Sequence, residues 1–125
     1  MTSVLNVDTI ADKAGTGPVG LTKQTAAKHF CVFNGTGTVA VDESFNNSSL
    51  EDNGPGQYQV TFINAFKNLH FVFTGATVGN DEAFTYIATD AVAKTASTVR
   101  FRGVQHDGSE QDTDVVDVVS HGDLA

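Results

Sequence analysis

Residues Phe33–Phe62 read FNGTGTVAVDESFNNSSLEDNGPGQYQVTF. Val39 and Val41 fall on one side of an extended chain and Thr38 and Ala40 on the other, because strand side chains alternate with period two. Tyr58, Val60 and Phe62 repeat the device, with Gln57, Gln59 and Thr61 facing away. Between the two alternations runs a polar stretch that closes in Asn53-Gly54-Pro55-Gly56. Glycine admits positive φ and proline lacks the ladder N–H, so neither strand continues through it. The segment therefore predicts two strands around a long polar turn, a hairpin pattern with no catalytic spacing.

Working outward, seven strand-like runs follow one another at short intervals: about 29–34, 37–42, 57–63, 69–74, 83–89, 97–105 and 113–119. His70-Phe71-Val72-Phe73-Thr74 and Ala83-Phe84-Thr85-Tyr86-Ile87 are the clearest core candidates, with Gly79-Asn80-Asp81 in the turn between them. No long helical period interrupts the series. The expected fold is all-β, an antiparallel β-sandwich of about seven strands preceded by an extended N-terminal arm. Residues 1–29 are the arm and linker, and residues 30–125 the sandwich domain.

The arm has its own logic. Val4, Asn6 and Asp8 alternate with Leu5, Val7 and Thr9, a strand pattern with no partner nearby in sequence. A lone strand needs a sheet edge to complete. Val4, Leu5, Val7 and Ile10 are thus the expected partner-binding residues. Gly15, Gly17, Pro18 and Gly20 make the next segment a bent linker, with one helical turn expected near Lys23–Lys28.

At 125 residues the chain fits one module with its own two-layer core. Its 40% hydrophobic content and 18% charged content read as globular and not disordered. No apolar run approaches about 18 residues, so neither a membrane span nor a signal peptide is expected. Cys31 is the single cysteine, and the fold cannot depend on an internal disulfide. The net charge of −8 is unevenly placed. Lys13, Lys23 and Lys28 outnumber Asp8 and Asp12 in the arm, while acidic residues dominate from residue 30 onward. Such a surface repels phosphate backbones, and no basic patch offsets it, so nucleic acid is not an expected partner.

Candidate chemistry is sparse. His29 and Cys31 sit two apart, on one face of a strand, which is compatible with metal ligation. A zinc site needs two more ligands, and His70, His106 and His121 are scattered, so packing is the preferred role. Asp107, Glu110, Asp112, Asp114 and Asp117 could offer oxygens to calcium but lack the D-x-[DN]-x-[DN]-G spacing. A solvated acidic edge is the simpler expectation. There is no G-x-S-x-G elbow and no pair of carboxylates at an interpretable spacing, so no catalytic residue is assigned. Gly35-Thr36-Gly37 is followed by neither lysine nor helix and is no phosphate loop. Asn34-Gly35-Thr36 and Asn47-Ser48-Ser49 match the glycosylation triplet only incidentally. No cofactor is expected. Arg100 and Arg102 share one strand face opposite Phe101, a candidate contact for a carboxylate-rich partner or acidic sugar, although a plain exposed face explains them as well.

Phe33-Asn34-Gly35-Thr36-Gly37-Thr38-Val39-Ala40, Ser44-Phe45-Asn46, Asp52-Asn53-Gly54 and Tyr58 through Phe62 together resemble the small C-terminal β domain of tail-fibre-like virion proteins of tailed phages, especially those of marine and cyanobacterial hosts. The approach is similar too: Val4-Leu5-Asn6-Val7-Asp8-Thr9-Ile10 leads through Gly15-Thr16-Gly17-Pro18 to Lys23-Gln24-Thr25-Ala26-Ala27-Lys28. Where that family often carries tryptophan before the FNG turn, this chain has His29-Phe30-Cys31.

The resemblance implies a non-enzymatic virion surface protein, assembled in the host cytoplasm. It would be a homotrimer of the short tail-fibre or receptor-binding type, attached to other virion proteins through the arm and facing a host surface receptor. A capsid decoration protein is the alternative, its arm adding a strand to a coat-protein sheet. The short span before the domain favours decoration, and the motif favours the fibre.

Overall fold

The computed structural model describes residues 26–79 and 86–125. Eight strands follow in chain order: β1 (His29–Asn34), β2 (Ala40–Phe45), β3 (Asn47–Gly54), β4 (Gln57–Phe62), β5 (Val72–Val78), β6 (Tyr86–Lys94), β7 (Thr98–Val104) and β8 (Val115–His121). All pairings are antiparallel, in the order β2-β1-β8-β5-β6-β7-β4-β3. At the middle of that order β5 and β6 meet at one residue pair, Ala76 with Tyr86. There the sheet folds over into two facing layers, β2-β1-β8-β5 and β6-β7-β4-β3. The fold is the antiparallel β-sandwich that the alternating runs predict.

Aromatic rings join the layers. Phe33 of β1 meets Tyr58 of β4 edge-on at 4.9 Å between centroids and Phe101 of β7 at 6.2 Å. Phe73 of β5 reaches Phe101 at 5.2 Å. Tyr58, Val60 and Phe62 are buried while Gln57, Gln59 and Thr61 are not, as their alternation predicts. One end of the core is closed by the link from β4 to β5, where Phe66 stacks on Phe71 at 4.2 Å and Phe62 meets both edge-on. Lys94 caps the stack with its ammonium 4.1 Å from the Phe71 ring centre, and its Nζ donates to the Phe71 carbonyl at 2.6 Å.

The polar stretch after Val41 is not a long turn. β2 runs to Phe45, Asn46 alone reverses the chain with φ 56°, and Asn47–Gly54 forms β3 on the edge of the other layer. Asn46 holds that corner by donating from Nδ2 to the carbonyls of Lys28 (2.9 Å) and Asn64 (3.1 Å), while its Oδ1 accepts the Asn64 amide at 2.7 Å. Periodicity missed β3 because its side chains are almost all polar. As an edge strand it sends only Leu50 against the core, too little for an apolar alternation to register. The other seven runs correspond to strands, with ends displaced by a few residues.

Several expectations meet the limits of the described residues. Val4, Leu5, Val7 and Ile10, the Gly/Pro linker, Asn80, Asp81 and Ala83-Phe84-Thr85 lie outside them, and Tyr86 and Ile87 open β6. Residues 26–28 are not helical. In His70–Thr74, Phe71 is buried and Phe73 half-buried, but Val72 faces outward and is 59% exposed.

Candidate functional site

Three places bring together the side chains with chemical or binding potential. The first is a strap formed by residues 105–114, which crosses the turn between β3 and β4. Gly56 has φ 65°, which favours glycine, and a Cβ there would stand 2.5 Å from the Gln111 amide nitrogen. The strap is hooked on by the Gly56 amide, which donates to Asp112 Oδ1 at 2.6 Å, and by the Gln111 amide, which donates to the Gly103 carbonyl of β7 at 3.2 Å. Tyr58 extends from the core so that its hydroxyl donates to the Gly35 carbonyl at 2.9 Å, with Asp112 Oδ1 3.1 Å away. Burial, followed by the Asp112 charge, pushes the phenol well above its ordinary pKa.

The expected solvated acidic edge is therefore a set of engaged carboxylates. Glu110 accepts from Arg102 Nη1 at 2.9 Å and from Gln57, and both interactions hold its carboxyl below the usual range, Arg102 first. Asp107 accepts from the Ser109 hydroxyl and amide, which lower it likewise. Asp117 accepts the Ala76 amide at 2.9 Å across to β5. Each carboxylate serves a nearby donor, so the group does not converge. No cluster of three His, Cys, Asp or Glu side chains among the described residues is placed to hold a metal ion.

Arg100 and Arg102 both leave β7 on the outer face opposite buried Phe101, as expected, but they are half-buried. Arg102 lies beside Gln57 and is paired with Glu110. Arg100 lies beside Gln59, which donates to Glu51 of β3 at 3.2 Å. This outer face is a polar lattice.

The second place is the His29–Cys31 face, which points into the core. His29 is fully buried, with Nδ1 3.1 Å from Ser120 Oγ and its ring edge-on to Phe62 at 4.7 Å between centroids. Burial drives its pKa down to about 4, opposed by the hydrogen bond with Asn47, so the ring is neutral at physiological pH. Burial, with the Asp42 charge adding to it, raises the Cys31 thiol to about 11. A neutral imidazole and a protonated thiol sealed between sheets are packing groups.

The third place was not singled out from sequence. The outer face of the β2-β1-β8-β5 layer is largely apolar, broken by Glu43 and Asp117 in the row through Val32, whereas the outer face of β7-β4-β3 is polar. Register aligns Phe45, Phe30 and Val119 across β2, β1 and β8, and the two phenylalanine rings stack at 6.3 Å. Phe45, Val72 and Val78 are each more than half exposed. The signal available in sequence is the apolar run Phe30–Phe33 in β1 and the pairs Val115-Val116 and Val118-Val119 in β8, which put apolar side chains on both faces of each strand.

Among the described residues no helix is long and apolar enough to cross a membrane. No protein-family model, curated protein or solved structure matches this chain. Fold and surface thus define a class, a small acidic all-β sandwich whose outer surface is polar over β7-β4-β3 and, apart from Glu43 and Asp117, largely apolar over β2-β1-β8-β5.

Proposed function

We propose that the protein is a non-enzymatic structural protein of a bacteriophage virion surface, of the short tail-fibre or receptor-binding type. In this reading it is a homotrimer, residues 1–29 anchor it to other virion proteins, and the sandwich faces a host surface receptor. The observation that carries the reading is the pattern FNGTGTVA, SFN, DNG and Tyr58-Val60-Phe62. Supporting it, the fold depends on those same residues. Asn34 binds the Thr36 amide at 3.0 Å to shape the first turn, Asn46 makes the corner between layers, and Tyr58, Val60 and Phe62 fill the core. The chemistry-bearing side chains are spent on structure, which favours a binding or structural role over turnover.

Electron microscopy of intact particles carrying a labelled copy tests this reading, with label expected at the tail. Deleting residues 1–20 should give a soluble sandwich that is missing from particles. Particles fully occupied by the deleted protein would refute the anchoring role. A capsid decoration protein is the second reading, favoured by the broad apolar outer face around Phe30 and Phe45, which suits lying flat on a shell. Label on the head would establish it.

A further inference from the structure

Register sorts the outer face of the β2-β1-β8-β5 layer into rows that run across the strands. A central row joins Phe45, Phe30, Val119 and Thr74. On one side of it lies the row Glu43, Val32, Asp117 and Ala76, and on the other the pair His121 and Val72. Phe45 is 54% exposed and Val72 59%, beside half-buried Phe30, Val32 and Val119, so the apolar side chains form one patch and not scattered single residues. The two carboxylates thus fall on one side of the apolar row. The imidazole falls on the other, at the end where Lys28 leads into β1 and its amide donates to the Ser120 carbonyl at 2.9 Å.

We propose that this face packs against the same face of a second copy, about a two-fold axis that lies along the central row. Such an axis sets each strand over its own counterpart in reverse direction, so the rows on either side of the centre exchange places. Phe45, Phe30 and Val119 then meet their equivalents at the axis. Asp117 comes opposite His121 of the second copy, whose ring N–H can donate to the carboxylate. Val72 comes opposite Ala76, a large side chain over a small one. Glu43 comes toward the end that carries Lys28. A two-fold along the strands would instead bring Glu43 and Asp117 of one copy into line with those of the other, and like charges oppose it.

Area and net charge set the strength. Four strands about 4.8 Å apart and about seven residues long present roughly 450 Å² in plan. Over two copies that lies at the low end of specific interfaces, so the pair forms reversibly. The net charge of −8 sets copies against each other at long range, but physiological salt screens this repulsion beyond about 8 Å.

The inference goes beyond the virion reading and concerns the free protein, whose pairing covers the patch before any other surface does. Its failure leaves that reading, which is tested on particles, untouched.

Sedimentation equilibrium of the full chain at physiological salt, over a range of concentrations, tests it. Twice the chain mass is expected at high concentration, falling to the chain mass on dilution. Phe45→Lys should raise the dissociation constant at least tenfold with the far-ultraviolet circular dichroism unchanged. Should that variant lose its fold, Val72→Lys gives the same reading from the other end of the patch. Asp117 and His121 lie four residues apart on one strand, about 13 Å, so they do not meet within a chain. His121→Asp should therefore weaken the pair by setting carboxylates opposite each other. Asp117→Asn/His121→Asp should restore it, since the amide can donate to the new carboxylate, the net charge returns to its original value and an oxygen remains for the Ala76 amide. The chain mass at every concentration, three copies in place of two, or pairing that Phe45→Lys leaves as tight overturns the inference. So does a double variant that stays as weak as His121→Asp, or a His121→Asp variant that pairs as tightly as the unaltered protein.

Discussion

The Tyr58 hydroxyl lies 3.1 Å from Asp112 Oδ1, the oxygen that also accepts the Gly56 amide. One carboxylate thus ties the core to the turn between β3 and β4 and to the strap crossing it. Tyr58→Phe removes the donor to the buried Gly35 carbonyl and should destabilise by about 1–2 kcal/mol. Urea unfolding should show a lower midpoint with an unchanged slope. Asp112→Asn should be the milder change, because an amide oxygen still accepts from Gly56.

His29 makes stability depend on pH. Its pKa is about 4 when folded against an ordinary 6.5, so below 6.5 the unfolded chain takes up a proton that the folded chain refuses. Stability is therefore full above 6.5, falls as the pH drops through the window, and has lost roughly 3 kcal/mol from this group by pH 4. The lowered carboxyls of Asp107 and Glu110 lose their contributions at the acid end of that window and below it. Thermal unfolding at pH 7, 5.5 and 4.5 should show the slope, and His29→Gln should flatten it.

Asn46 combines a left-handed backbone with three hydrogen bonds at the corner between layers. Asn46→Ala loses the bonds and strains the backbone, for an expected cost of about 2–4 kcal/mol. Asn46→Gly relieves the strain and should recover about 1 kcal/mol of that. Chemical denaturation of the two variants side by side measures the difference.

Gly56 and Gly37 separate strain from collision. Their φ values are nearly equal, 65° and 64°, but a Cβ at Gly37 meets nothing within 4 Å while one at Gly56 strikes the strap. Gly37→Ala should cost about 1 kcal/mol from the backbone alone. Gly56→Ala should cost more and also quicken amide exchange in residues 105–114. Equal costs would mean that the strap yields freely.

The alternation of Tyr58, Val60 and Phe62 was enough to read β4 and the inward face of the sandwich, because a strand between core and water must alternate. The same rule hid β3, an edge strand that gives the core only Leu50. The Arg100–Phe101–Arg102 pattern placed the arginines on an outer face. It could not show that Arg102 is paired with Glu110, since the strap's path depends on the Gly56 turn and not on local sequence. The row of exposed Phe45 and half-buried Phe30 was likewise illegible, because their alignment comes from register between strands. The pairing of β1 with β8 joins distant parts of the chain and has no local signature.

That pairing has a mechanical side. β1 is the strand into which residues 26–28 lead, and it is an interior strand, laddered to β2 on one side and β8 on the other. A tether fixed to the preceding residues would pull along its axis and load both ladders together in shear. Peeling from an edge breaks hydrogen bonds one by one, but shear demands that they fail in concert. A sandwich held this way can bear tension from its leading end without surrendering its first strand.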